Sequence, residues 1–452
     1  MLKAIANTFA NCFKIPELKS RILFTLAVLG ICRLISMIPI PGLNGGLLSE
    51  YFKQTAGKDG GGLLGMYSMF TGGALEKCAV GSLGIMPYIS ATIIIQLLSA
   101  VIPQLSKLAR EEGGRAKIIQ YARYLTLLLC LGQGFFMALG WENPGAIFPS
   151  FTGKLVLFEG WWYRIQTVLI LTTGTLLLMW LGEQITERGI GNGVSLVITI
   201  GILARLPQGY VGLRDIKSTN PDFHLFHAIA LVCLLLGVVA GVIAVTQAQR
   251  MIPVQYAQRA VGRKIYQGGT SFMPLRVNYS GVMPVIFAQA ILMFPQKIFL
   301  FLGGKVEFFK ELAIYLSEGA ILYLVMYGLM ILFFSYFWVA TQFNEIQIAD
   351  DLKKYGGYIP GVRPGQATSA YLHNAMSRIT LAGAIFLTVI AVIPILLYRM
   401  MNIPYPVATF FGGTSLLILV GVILDTMRQM ESHLLMRHYD GFLKKGRIKG
   451  RF

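Results

Sequence analysis

The chain reads as an all-α polytopic membrane protein, and three observations carry that reading. Its 452 residues are 55% hydrophobic and 13% charged, against about 45–50% apolar and about 25% charged in soluble domains. Mean hydropathy is +0.63, and the apolar residues gather into long runs rather than alternating with polar ones. The charge is one-sided, with 39 Lys+Arg against 21 Asp+Glu and a net charge of +18. Those cations sit in short segments between apolar runs, so they report loop topology and not a separate nucleic-acid-binding domain.

A hydrocarbon core of about 30 Å takes roughly 20 helical residues per crossing. Runs of that kind lie at 22–40, 78–101, 118–139, 161–181, 190–207, 227–246, 280–302, 318–340, 379–398 and 407–427. The first begins at Ile22, passes Arg33 and ends in Pro39-Ile40-Pro41-Gly42 without a small-residue cleavage site. It is therefore expected to stay as a membrane helix instead of being removed as a signal peptide. Between the first and second runs, GKDGGGLLGMYSMFTGGAL at 57–75 holds an apolar stretch too short to cross, flanked by glycines. It is either an exposed outer loop or a short re-entrant helix, which survives at membrane depth only inside protein or beside a water-filled cavity. Ten spans divide into five and five around 208–226, the plan of many inverted-repeat proteins that enclose a path at midplane, although no residue-level repeat is visible.

An even count of spans puts both termini on one side. That side takes the loops near 102–117, 182–189, 247–277 and 341–378 and the tail from 428, and with Arg123 it holds 26 of the 39 Lys+Arg, against 12 opposite. Loops richer in Lys and Arg are cytoplasmic, so both termini are expected inside.

Chemistry is conspicuously scarce. The five cysteines, Cys12, Cys32, Cys78, Cys130 and Cys233, are odd in number and widely spaced, so neither a disulfide framework nor a metal site is implied. All five histidines lie in loops or the tail, and no G-x-x-x-x-G-K-[ST] sequence occurs; the chain is expected to need no cofactor and to hydrolyse no ATP. Intramembrane ionisable residues reduce to Arg33, Glu183, Glu187 and Asp425. Arg33 is read as snorkelling or paired. Glu183 and Glu187, one turn apart, are read as organising a loop at the membrane surface. No carboxylate stands at midplane, which weighs against a proton-coupled carrier; an intramembrane hydrolase lacks its nucleophile–base pair. A secondary transporter with carbonyl-built ion sites stays open at this point.

Two basic loops are long for a compact bundle. The loop at 247–277 carries Arg250, Arg259, Arg263, Lys264 and Arg276 with no acidic residue, and the one at 341–378 centres on YGGYIPGVRPG. Gly and Pro at those spacings specify turns. A structured basic loop suits docking of an acidic partner or RNA phosphates, or contact with anionic lipids. Ile85 and Ile89, four apart around Pro87, share a helix face; by spacing alone they are packing, lipid-facing or pore-lining residues.

Seven stretches carry a resemblance. They are IPIPG at 38–42, MFTGGAL at 69–75, GIMPYISATIIIQLL at 84–98, MWLGEQITERGIGNG at 179–193, PLRVNYSGVMPVIFA at 274–288, IPGVRPG at 359–365 and FGGTSLLI at 411–418. In this order, over nearly the whole chain, they resemble the SecY/Sec61α family of protein-conducting channels. The resemblance implies ten helices in two pseudo-symmetric inverted halves, 22–207 and 227–429, with a cytoplasmic N-terminus (1–21), an outer hinge loop (208–226), a basic tail (430–452) and a short re-entrant plug at about 62–75. The halves would open between the helices at 78–101 and 118–139 and those at 280–302 and 318–340. It implies a pore ring at Ile85, Ile89, Ile198, Ile286 and Ile418, with Ile291 as a sixth position. Gln96 and Asn278 match lateral-gate positions, where a signal sequence is sensed. Arg259, Arg263, Lys264 and Arg363 match loops that dock the SecA motor and the ribosome. The implied function is passage of unfolded secretory polypeptides across a bacterial cytoplasmic membrane and sideways release of transmembrane segments into lipid. Implied partners are SecE and SecG as complex subunits, the SecA ATPase, the ribosome, signal-sequence-bearing polypeptides and anionic lipids, with SecDF and YidC as further associates.

The chain departs from the family pattern in the docking loops. Met251 follows Arg250 where a basic residue is usual, and Gln258 precedes Arg259 in place of Lys. Asn344-Glu345 stands for a common Asn-Pro, and Asp351 for a usual Asn. These changes touch contacts with the motor or ribosome, not the pore.

Overall fold

The structure, a computed structural model, describes residues 15–55, 68, 71–111, 113–144, 151, 153–158, 160–205, 207, 225–256, 259–261, 264–266, 269–279, 281–303, 307–316, 320–401 and 414–445. Helices dominate, and one falls within or across each of the ten apolar windows. The first three are α1 (Pro16–Ile35), the short amphipathic α2 (Gly45–Thr55) and α3 (Met86–Val101). The first half continues with α4 (Pro103–Arg110), α5 (Gly114–Glu142), α6 (Trp161–Arg188) and α7 (Gly193–Leu203). Beyond α8 (Leu225–Gln247) come four strands, β1 (Gln249–Tyr256), β2 (Arg259–Val261), β3 (Lys264–Tyr266) and β4 (Thr270–Arg276). Then follow α9 (Met283–Gly303), α10 (Glu307–Tyr315), α11 (Ile321–Gln342), α12 (Glu345–Lys354), β5 (Gly357–Tyr358), α13 (Gln366–Met401) and α14 (Thr414–Lys445). Among the described residues four helices, α5, α6, α11 and α13, are long and apolar enough to cross a membrane.

Helix ends follow local chemistry and not the apolar windows. Pro16 at the first helical position starts α1 inside the N-terminal segment 1–21 expected to precede the first span, and Ser36 ends it before Pro39 and Pro41; the fixed φ of proline suits a helix start and not its interior. The window at 78–101 opens as a buried coil, because Cys78 (φ 45°) and Gly84 (φ 59°) hold left-handed backbone and delay α3 to Met86. Helix α7 spans only 11 residues: the Asn192 side chain caps it by accepting from Ser195 N–H at 3.3 Å. At about 1.5 Å per residue it is roughly 16 Å long, half a bilayer core. In contrast α13 and α14 extend well past their windows, since polar helix formers continue the ladder after the apolar run ends.

The expectation of an all-α chain is corrected at the loop 247–277, which folds as antiparallel strands. β1 pairs with β4 from Gln249↔Arg276 to Gln255↔Thr270, β5 adds to the other edge of β1, and β2 pairs with β3. Ile252 and Val254 alternate inward while Met251 and Pro253 face out, the two-residue period of a half-buried strand. The loop 341–378 is likewise mostly helical, through α12 and the start of α13.

One large apolar cluster runs through the helical bundle, and a second, around Ile252, Leu275, Phe343, Ile359, Leu372 and Met376, packs the sheet against α13. Outward-facing apolar side chains such as Leu26, Leu128, Trp162 and Leu329 stay exposed, as expected where lipid and not water covers a helix. Close helix contact is built from small residues. A Cβ on Gly174 of α6 would lie 2.3 Å from the Val80 carbonyl oxygen, and one on Gly193 of α7 would lie 1.8 Å from that of Gly182.

Candidate functional site

Five helices close a circuit of contacts: α3 touches α9, α9 touches α14, α14 touches α7, α7 touches α6, and α6 touches α3. Four of them carry the ring positions expected from sequence. Ile85 caps α3 and Ile89 stands one turn in, with Ile89 N–H donating to the Ile85 carbonyl at 3.2 Å. Ile198 comes from α7, Ile286 from α9 and Ile418 from α14. Their exposures are 3%, 5%, 2%, 2% and 0%, and all belong to the central apolar cluster, with Ile291 half-buried against it. The Ile85 side chain reaches α6, where its Cδ1 lies 3.6 Å from the place a Cβ on Gly182 would occupy.

The loop GIGNG at 189–193 fastens this circuit to its neighbours. Ile190 N–H donates to Thr25 Oγ1 of α1 at 3.1 Å, Gly191 N–H to Gln429 Oε1 of α14 at 2.9 Å, and Gly193 N–H to Thr186 Oγ1 at 2.9 Å. Gly191 holds φ 92°, and a Cβ there would lie 2.9 Å from Leu196 Cδ1 and 3.0 Å from Thr426 Oγ1, so only glycine fits there without strain.

Helices α3 and α9, which touch, and the turn before α9 carry buried amides. Gln96 Oε1 on α3 is buried and meets no donor among the described residues. Asn278 is buried and donates from Nδ2 to the Gly281 carbonyl at 2.8 Å, holding the turn that leads into α9. Gln289 and Gln296, both 2% exposed, lie on α9; single glutamines in an apolar run leave no pattern in the sequence that would single them out. A buried amide oxygen left without a donor, as at Gln96, costs about 1–3 kcal/mol.

Glu183 is not the surface-loop organiser its spacing suggested. It accepts from Arg123 Nε and Nη2 at 3.1 and 2.7 Å and from Tyr88 O–H at 3.4 Å, tying α6 to α5 and α3. With the Arg123 side chain 46% exposed, solvent screening leaves the pair about 0–1 kcal/mol. Arg33 pairs, donating from Nη1 to the Gly72 carbonyl at 2.5 Å. Most of the stretch at about 62–75 lies outside the described residues, which there include Ser68 and the buried turn from Thr71 onward.

Of the residues expected to dock partners, Arg259 begins β2 and Lys264 begins β3, while Arg263, like Gln258, lies outside the described residues. Arg363 is exposed on the turn between β5 and α13, and its carbonyl accepts from Thr368 Oγ1 at 2.9 Å. Gly356, Gly361 and Gly365 around it have φ of 73°, 82° and 98°, the left-handed backbone that the glycines of YGGYIPGVRPG predicted. Asn344 accepts from Gln347 N–H at 3.2 Å and so caps α12. Among the described residues no group of His, Cys, Asp and Glu is placed to hold a metal.

Three comparisons bear on this arrangement. The SecY family model matches residues 79–427. The protein translocase subunit SecY of Chlamydia trachomatis is 42% identical over 455 residues, covering 98% of this chain and 99% of the relative. That of Thermotoga maritima is 43% identical over 453 residues with the same coverage, and that of Escherichia coli 42% identical over 437 residues, 96% of each chain. Among solved structures, one described as a protein conducting channel superposes with a TM-score of 0.63 at 18% identity, covering 94% of this chain and 96% of the other. Sec61 in the canine ribosome-channel complex gives 0.58 at 18% identity, again covering 94% and 96%. With a matching model over most of its length and relatives above 40% identity end to end, this chain belongs to the SecY family.

Proposed function

We propose that this chain is the membrane channel subunit of a protein translocase, and that unfolded polypeptides pass through the circuit of α3, α9, α14, α7 and α6. The observation that carries this reading is the placement of Ile85, Ile89, Ile198, Ile286 and Ile418, buried in one apolar cluster and borne by four helices of a closed circuit. A hydrophobic constriction excludes ions by dewetting and needs no chemical group; it can also close around a chain of any sequence. The subunit is no enzyme. Driving force would come from SecA or the ribosome, docked on the segments that carry Arg259, Arg263, Lys264 and Arg363. The two solved relatives are described as a conducting channel and a ribosome-channel complex, and that description supports the ribosome as a partner.

The contact between α3 and α9 is the side we assign to lateral opening, with Gln96 and Asn278 facing the arriving signal sequence. An apolar segment in the path would then partition into lipid with about −0.3 to −0.6 kcal/mol per Leu, Ile, Phe or Val at the helix centre. In this reading the ten helices at the apolar windows all cross the bilayer, both termini are cytoplasmic, and SecE and SecG complete the complex. The test is reconstitution with those subunits in liposomes, adding SecA, ATP and a secretory precursor. ATP-dependent protection of the precursor from external protease is expected. An assembled complex that protects nothing but takes up a small solute saturably would overturn the reading in favour of a secondary transporter.

A further inference from the structure

One turn of α14 ties the root of the strand segment to the helices that bear the isoleucines. Helix α14 touches α7, α8 and α9, and it carries the fully buried Ile418 near its start. Arg428 stands about 15 Å further along the helix axis. It is half-buried and donates from Nη2 to the Thr246 carbonyl at 2.5 Å. Thr246 lies in the last turn of α8, where main-chain carbonyls lack a partner within the helix. A guanidinium also suits the negative end of the helix dipole.

That turn of α8 leads straight into 247–277. The Ala248 carbonyl accepts from Val277 N–H at 2.9 Å, and the pairing of β1 with β4 begins beside it at Gln249↔Arg276. Both ends of the segment are thus closed on each other next to the Arg428 bond. Asp425, one turn back on α14, feels the positive charges of both Arg428 and Arg276. On its other sides the same stretch of α14 meets two helices of the circuit. Gln429 Oε1 accepts from Gly191 N–H at 2.9 Å, just before α7 and Ile198. A Cβ on Gly421 would lie 2.3 Å from Val282 Cγ1, just before α9 and Ile286. A continuous chain of hydrogen bonds and close packing therefore runs from the strand root to three of the isoleucines, and coupling between distant sites travels through such chains.

We infer that Arg428 and Gln429 are positioning residues for polypeptide passage: Arg428 fixes the root of β1 and β4 to α14, Gln429 fixes α14 to the loop before α7, and load from a motor docked on 247–277 reaches Ile418 and Ile198 through both. The inference rests on the channel reading above and deepens it by naming what joins docking to passage. In it, neither residue meets the motor or the chain in transit.

The test uses the full complex in liposomes with SecA, ATP and a secretory precursor, and reads two quantities. One is the maximal rate of precursor protection, the other the SecA concentration that gives half of it. Arg428→Ala and Gln429→Leu should each lower the maximal rate by about tenfold, equivalent to ~1.4 kcal/mol, and leave the half-saturating SecA concentration within about twofold of the parent. Arg428→Lys, and Gln429→Glu, which still accepts from Gly191 N–H, should keep the rate within about threefold of the parent. Parental rates in both Arg428→Ala and Gln429→Leu, at matched complex levels, would overturn the inference. So would a loss expressed wholly as a raised half-saturating SecA concentration, which would make these residues part of the docking surface. A loss shared in full by Arg428→Lys and Gln429→Glu would overturn it as well. If Arg428→Ala does not assemble, Gln429→Leu, at an exposed position, decides alone. Failure of the parent complex to protect any precursor would sink the channel reading itself, whereas parental protection with unaffected variants sinks only the coupling.

Discussion

Replacing a ring isoleucine by serine should open an ion leak, and its size follows from burial. Ile286 is 2% exposed and Ile198 2% exposed, so each contributes roughly the full 1.5–3 kcal/mol of a buried aliphatic side chain. The new hydroxyl adds little further cost inside a helix, because it can donate to the carbonyl four residues back. Thr199 does so to Ser195 at 2.8 Å and Ser335 to Ile331 at 2.7 Å. If closure of the apolar cluster is what excludes water, losing ~1.5–3 kcal/mol shifts the closed-to-open balance by roughly 10- to 150-fold. Resting conductance of the reconstituted complex in planar bilayers reads that shift directly. Conductance within twofold of the parent for Ile89→Ser, Ile198→Ser and Ile286→Ser alike, at normal complex levels, would refute the assignment and make these residues ordinary packing.

Other outcomes follow from the same structure. Arg363→Glu reverses an exposed charge on a turn whose backbone is held by glycines; SecA-driven precursor protection should fall several-fold or more while resting conductance stays at the parental level. Leu372, fully buried in the second cluster, should cost about 2–5 kcal/mol as Leu372→Ala; limited proteolysis should then cut within 247–277 or 355–365 while the helical bundle keeps its thermal transition. Gly193→Ala places a methyl 1.8 Å from the Gly182 carbonyl oxygen, forcing α6 and α7 apart at a cost of ~1–3 kcal/mol or more, visible as a lowered Tm in detergent.

What could be read in advance was governed by the range of the interactions. Apolar runs are local, so the helical windows were plain. Their ends were not, because Pro16, Cys78 and Asn192 set helix limits through backbone geometry and capping that hydropathy does not register. The strands of 247–277 are masked in the sequence, because the alternation of Ile252 and Val254 with Met251 and Pro253 spans only four residues amid basic and turn-forming ones. The isoleucine positions came from motif resemblance, since nothing in their spacing separates a ring from packing. Arg428 and Thr246 lie 182 residues apart, and Arg123 and Glu183 60 apart. Pairings at that distance become visible only once α14 and α8, or α5 and α6, are side by side.

The central claim is that a polypeptide passes through the circuit of helices at the isoleucine cluster. The most direct measurement puts a photo-crosslinking residue at Ile89 and, separately, at Ile286, in membranes supplied with SecA, ATP and a stalled secretory precursor. Crosslinks from both positions to the mature part of the precursor are expected. Crosslinks only to lipid or neighbouring helices, with the precursor demonstrably engaged, would contradict the account and leave these isoleucines as packing residues of some other transporter.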